Sequence, residues 1–182
     1  MRAVALALAC VAAVAVAQPE GGHCEVPGFK GVRAVGPGLY VGGEQDAAQL
    51  AHLKELGVVL VVDLREAKEP GARAEAAQAA KAKLQYRRLE VAGASGLTEK
   101  NARALDALIR EAKGAPVLVH CKSGERSAAL LALRDGLVLG RSKGESLSFM
   151  RRAELLKFEA QVSALLEPAP DAGAASEPGP AR

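Results

Sequence analysis

Residues 116–133, "PVLVHCKSGERSAALLAL", carry the most decisive pattern in the chain. Val117, Leu118 and Val119 form an apolar run without alternation, the pattern of a strand covered on both faces. The run meets His120 and Cys121, turns at Gly124, and continues after Arg126 with a helix-like pattern. A strand, a turn and a helix N-terminus bring several backbone N–H groups toward one point, and the helix dipole adds positive potential there. Cys121 at the strand end and Arg126 at the helix start both belong to that point. The field favours a thiolate nucleophile, and the planar guanidinium matches two oxygens of an oxyanion. Gly124 fits a turn whose backbone approaches a ligand. Ser127 is placed to donate to the sulfur, and His120 reads as a hydrogen-bonded scaffold residue. The competing reading makes Cys121 a small buried hydrophobe and Arg126 an ordinary helix residue.

The flanking sequence builds the frame. From Gly28 to Gly43, short apolar pieces cut by glycine and proline predict one or two short strands. Ala47, Leu50 and Leu53 have helical spacing, with Gly57 at the C-terminal cap position. "VVLVVDL" at 58–64 reads as a second doubly buried strand. The alanine-rich stretch 72–83 reads as a surface helix, and "LQYRRLEV" at 84–91 as a strand. Thr98 caps a helix whose stripe is Ala102, Leu105, Leu108, Ile109 and Ala112. The segment after the loop, "RSAALLALRDGLVLG", predicts a helix, and 145–166 one or two more. Alternating strands and helices with short connections predict an α/β domain over 28–166, its central sheet mainly parallel and flanked by helices. Ligands of such sheets bind beyond the carboxyl ends of the strands, where the Cys121 loop lies.

The chain has 182 residues, 49% of them hydrophobic but only 3% aromatic, so Leu, Val and Ala must build the core. Residues 1–17 hold Arg2, an apolar run and Ala15-Val16-Ala17, the anatomy of a cleaved secretory signal peptide. The run is shorter than the roughly 20 residues of a bilayer span, so no stable membrane span is expected after cleavage. The mature chain is expected to be exported, periplasmic or secreted, with a short N-terminal segment over 18–27. Loss of Arg2 lowers the formal charge from +3 to +2. The basic residues are scattered without interleaved aromatics, which argues against nucleic acid. Cys24 and Cys121 would remain after cleavage, and both a structural and a reversible disulfide are open. His23, His52 and His120 lack metal-ligand spacing, so no metal is expected. Residues 167–182 hold four prolines and no large apolar side chain, and predict a disordered tail.

"VHCKSGERS" resembles the signature loop of the cysteine-dependent phosphatases. "LYVGGEQDAAQLAHLKELGVVLVVDLRE" and "GLTEKNARALDALIREAKGAPVLVHCKSGERSAALLAL" are similar to the bacterial phosphatase-like domain of the beta-lactamase-hydrolase-like family, a relative of the dual-specificity phosphatases. The resemblance spans about residues 36 to 135. It implies a single cysteine-phosphatase-like domain without a cofactor. Cys121 would attack phosphorus, and Arg126 with Lys122, Ser123, Gly124, Glu125 and Ser127 would hold the phosphoryl group. A carboxylic acid would protonate the leaving oxygen. The usual phosphatase loop is one residue longer between Cys and Arg. The shorter spacing here resembles the rhodanese loop, which carries a persulfide, so a sulfurtransferase and a non-catalytic anion-binding module remain alternatives. The general acid of the family is an aspartate, but no aspartate occurs between Asp63 and Asp106. Glu90 takes that position, with a solvated strand-end carboxylate as the competing reading. Asp63 reads as structural, and Arg65, at a strand's carboxyl end, is expected to line the pocket. Lys122 favours and Glu125 opposes extra negative charge, leaving a phosphorylated small molecule, lipid or protein as substrate.

Overall fold

A computed structural model describes residues 25–167; the expected signal segment, Cys24 and the chain from 168 onward lie outside the described residues. Five strands form one sheet: β1 (Val32–Gly36), β2 (Leu39–Gly42), β3 (Leu60–Asp63), β4 (Gln85–Arg88) and β5 (Val117–His120). Their spatial order is β1-β2-β5-β3-β4. β1 pairs antiparallel with β2, and every other pairing is parallel. The predicted mainly parallel α/β sheet is therefore present, with β5 at its centre. Gly42, His120, Asp63 and Arg88 stand in one row at its carboxyl edge.

The two central strands are buried along their whole length because each face meets a different helical layer. Val61 and Leu118 point to one side, against Leu50, Leu53 and Ala79 of the layer containing α1 (Ala47–His52) and α2 (Ala72–Lys81). Leu60, Val62, Val117 and Val119 point to the other. That side holds α3 (Glu99–Glu111), α4 (Glu125–Leu133), α5 (Lys143–Arg152) and α6 (Glu159–Leu165). Period-2 alternation thus exists in these strands, but both phases are apolar.

Local signals place the helices. Asp46 accepts the Gln49 amide at 2.8 Å while the Gln49 side chain accepts the Asp46 amide, a capping box that starts α1. A 3-10 turn over Leu53–Leu56 follows and stops at Gly57, whose φ of 73° suits glycine. Thr98 caps α3 through the Asn101 amide. The expected surface helix at α2 is present, and its inner stripe of Ala72, Glu75 and Ala79 is buried. Residues Ser127 to Leu133 of α4 are all buried, and the helix continues as a π-helical segment over Arg134–Val138.

Residues just outside 28–166 also contact the domain. Glu25 bridges to Arg33, the Val26 amide donates to the Val32 carbonyl, and Glu167 pairs with Lys143. At the sheet's margins, β1 carries a register irregularity between Ala34 and Gly36, and β4 exposes Gln85 and Arg87. No helix of the described residues is long and apolar enough to cross a membrane.

Candidate active site

The loop after β5 is braced by the end of its neighbour β2. The Cys121 amide donates to the Gly42 carbonyl at 3.3 Å, and the Glu44 amide donates to the Lys122 carbonyl at 3.1 Å. A Cβ at Gly43 would lie 3.1 Å from that same Lys122 oxygen, so this close approach needs glycine. Gly124 has φ +91°, outside ordinary L-residue conformations, and its amide donates to Cys121 Sγ at 3.2 Å. The chain then enters α4, where the first-turn N–H groups of Glu125, Arg126 and Ser127 have no partner within the helix. Cys121 is 1% exposed and free of disulfide; its expected relation to Cys24 falls outside the described residues. The side chains of Lys122 and Ser123 are exposed on the loop.

Arg126 is held firmly. Its Nη1 donates to Glu69 Oε1 at 2.7 Å and to the Val91 carbonyl at 2.9 Å, and its Nη2 donates to Glu69 Oε2 at 2.6 Å. This guanidinium holds the Glu69 carboxyl below the usual carboxylate range. Glu69 was not singled out from sequence, although it lies in the connection after a doubly buried strand, at the edge where ligands bind. Glu90, expected as general acid, is exposed, and its Oε1 accepts the Ala67 amide at 2.9 Å. It therefore fastens the connection that carries Glu69.

The structure places three further residues of the sequence reading. Arg65 is buried just beyond the carboxyl end of β3. Its side chain is 2% exposed and donates to Asp63 at 3.0 and 2.9 Å, to Glu75, and to the Pro70 carbonyl. With Glu44, Gln49 and Gln78 it lines a cleft of about 360 Å³. Ser127 is buried, but its hydroxyl has no hydrogen-bond partner among the described residues rather than a bond to the sulfur. Glu125 directs its carboxylate sideways, accepting the Lys157 amide at 3.0 Å, while Leu155 would lie 3.3 Å from a Cβ at Gly124. The turn between α5 and α6 is thereby fixed to the loop.

Beneath the loop lies a buried charge cluster. His120 Nε2 is 2.8 Å from Glu75 Oε1, and its Nδ1 is 3.4 Å from the Cys121 carbonyl. Burial alone would raise the Asp63 carboxyl, but hydrogen bonds from Arg65, the nearby His120 and Tyr86 bring it below its usual range. The scaffold reading of His120 and the structural reading of Asp63 agree with these positions. Asp63, Glu75 and His120 converge as metal ligands would, but the Arg65 guanidinium sits among them and supplies the positive charge.

Comparison with known proteins gives the same architecture a family. The model of the "Beta-lactamase hydrolase-like protein, phosphatase-like domain" family matches residues 31–138. A beta-lactamase hydrolase-like protein of Xylella fastidiosa is 33% identical over 119 residues, covering 63% of this chain and 27% of its own. The chain spans about a quarter of the length of the curated relatives it matches. Among solved structures, a cysteine-to-serine variant of P. aeruginosa TpbA in complex with pTyr has a TM-score of 0.54 at 22% identity, with 74% of this chain and 81% of that one covered. PTPMT1 has a TM-score of 0.55 at 23% identity, with coverages of 74% and 97%. These structural likenesses establish the shared fold.

Proposed function

Since the chain belongs to the phosphatase-like domain family of the beta-lactamase hydrolase-like proteins, we propose that it hydrolyses a phosphate monoester through a cysteinyl-phosphate intermediate. The observation that carries this reading is the Cys121 sulfur at the end of β5, facing the Gly124 amide at 3.2 Å and followed by Arg126 in the first turn of α4. Sγ attacks phosphorus, the bond from phosphorus to the ester oxygen breaks, and the displaced oxygen takes a proton from Glu90. Water then cleaves the phosphorus–sulfur bond and releases phosphate, with Glu90 taking up the water proton. The loop amides and Arg126 stabilise the charge that develops on the equatorial oxygens. Export of the mature chain belongs to the same proposal, rests on the pattern of residues 1–17, and is tested by cell fractionation.

The short Cys-to-Arg spacing gives the sulfurtransferase reading its specific support. Reduced mature protein is assayed with an aryl phosphate and, separately, with thiosulfate and cyanide, alongside Cys121→Ser. Phosphate release that disappears in Cys121→Ser supports the proposal. Cysteine-dependent thiocyanate formation without phosphate release replaces it with sulfur transfer, and phosphate binding without either reaction leaves an anion-binding module. Glu90→Gln tests the acid: an unchanged phosphatase rate removes Glu90 from the mechanism.

A further inference from the structure

We propose that the cleft walled by the connections after β2 and β3 is a subsite for a primary ammonium group on the molecule whose phosphate the Cys121 loop holds. It depends on the reading of that loop as a phosphate site. β2 and β3 are the two neighbours of β5, so the segments that follow them leave the sheet beside the loop, about one strand spacing of ~5 Å away. The Glu44 amide donates to the Lys122 carbonyl, which ties the cleft wall to the loop. The cleft measures about 360 Å³, within the range of about 300–1,000 Å³ for small-molecule sites, and is far larger than a bare ion needs.

Charge and hydrogen-bonding capacity together select an N–H-bearing cation. Glu44, Asp46 and Glu75 line the cleft against the single guanidinium of Arg65, three carboxylates to one positive charge. Arg65 is already taken from within by Asp63 and Glu75. The Glu44 carboxylate, 55% exposed, reaches it only at 3.5 Å. Gln45 supplies the independent sign of a ligand. It lines the cleft, is 6% exposed, and its Nε2 donates to the Gly43 and Glu44 carbonyls at 2.9 and 3.3 Å. Those two acceptors fix which end of the amide is nitrogen and leave Oε1 turned to the cleft wall. That oxygen is buried and has no hydrogen-bond partner among the described residues. Its burial costs free energy until a donor arrives. An ammonium brings three donors, enough for Gln45 and the two outer carboxylates. A second phosphate meets those carboxylates as a like charge.

The probes are benzylphosphonates, whose carbon–phosphorus bond the thiolate does not cleave. Each carries a para arm of two, four or six carbons that ends in an ammonium or a hydroxyl group. Affinity is measured by isothermal titration calorimetry on full-length reduced protein. With the best-fitting arm, the ammonium compound is expected to bind about tenfold more tightly than its hydroxyl counterpart. In the double variant Glu44→Gln, Asp46→Asn this preference is expected to fall to about twofold or less. Asparagine keeps the oxygen that caps α1, and urea midpoints establish that the variant is folded. If it does not fold, Glu44→Gln alone, at an exposed position, carries the test. Equal affinity for ammonium and hydroxyl compounds at every arm length overturns the subsite while leaving the phosphate loop intact. A preference undiminished in the folded variant overturns this cleft as its origin. Failure of every phosphonate to bind the wild type overturns both readings.

Discussion

Glu75 offers a severe test of the packing beneath the candidate site. Its side chain is 2% exposed and faces Arg65, also 2% exposed, and His120, which is fully buried. Glu75→Gln preserves the shape but removes one of two buried negative charges, leaving Asp63 to serve Arg65 at 2.9 Å and His120 at 3.8 Å. Removing one member of a buried ion pair costs about 3–5 kcal/mol. Because Asp63 remains and glutamine can still accept a hydrogen bond, the lower end, about 3 kcal/mol, is expected. With a urea slope of about 2 kcal/mol per molar, the unfolding midpoint should fall by about 1.5 M. The melting temperature should fall by about 10 °C. The control is Glu111→Gln, whose ion pair with Arg87 is 40% and 46% exposed and should shift stability by less than about 1 kcal/mol. A Glu75→Gln loss no larger than that of the control would refute the claim that these charges depend on one another.

Gly124→Ala places a side chain at φ +91° with Leu155 Cδ1 only 3.3 Å away, so it should cost about 1–2 kcal/mol. It should also lower catalytic turnover, because the same amide donates to the sulfur; an increase in the urea midpoint would contradict this. Gly144→Ala in α5 meets nothing within 4 Å and should raise stability by about 0.5–1 kcal/mol in the same titration. Asp63, Asp106 and Glu69 all have folded-state carboxyls below their usual values. Their stabilisation is fully present above the unfolded carboxylate range near about pH 4 and is lost as pH falls through the lower folded values. Urea midpoints measured from neutral pH into acid should therefore drop below about pH 4, and a flat profile would contradict the assignment.

The sheet was legible because its central strands are short, β-branched and bounded by turn residues. Gly57 and Thr98 marked helix ends for local reasons that survive in the fold. Cys121, Gly124 and Arg126 were legible because strand, turn and helix follow one another without interruption. Glu69 and Glu75 were not, since each acquires its role from a partner distant in sequence: Glu69 from Arg126, Glu75 from His120. In an alanine-rich, charged stretch a buried glutamate looks like a solvated one. Arg65 illustrates the same limit in reverse: its place at the carboxyl end of a strand is correct, but two buried carboxylates draw it inward. Ser127 and Glu125 sit where the loop pattern places them, but side-chain direction depends on the packed surroundings.

The sheet's two outer margins also matter when the protein is concentrated. An unpaired strand edge is a template on which another chain can add a strand and begin aggregation. At one margin Glu25 bridges to Arg33 and the Val26 amide already takes the Val32 carbonyl, so part of the outer row of β1 is occupied. At the other, β4 presents Gln85 and Arg87 outward, with Arg87 paired to Glu111. Strand addition there would have to desolvate that charge. The most apolar strand sequences are confined to the centre, where both edges are already paired, so the segments most prone to self-association are withheld from neighbouring molecules while the fold is intact.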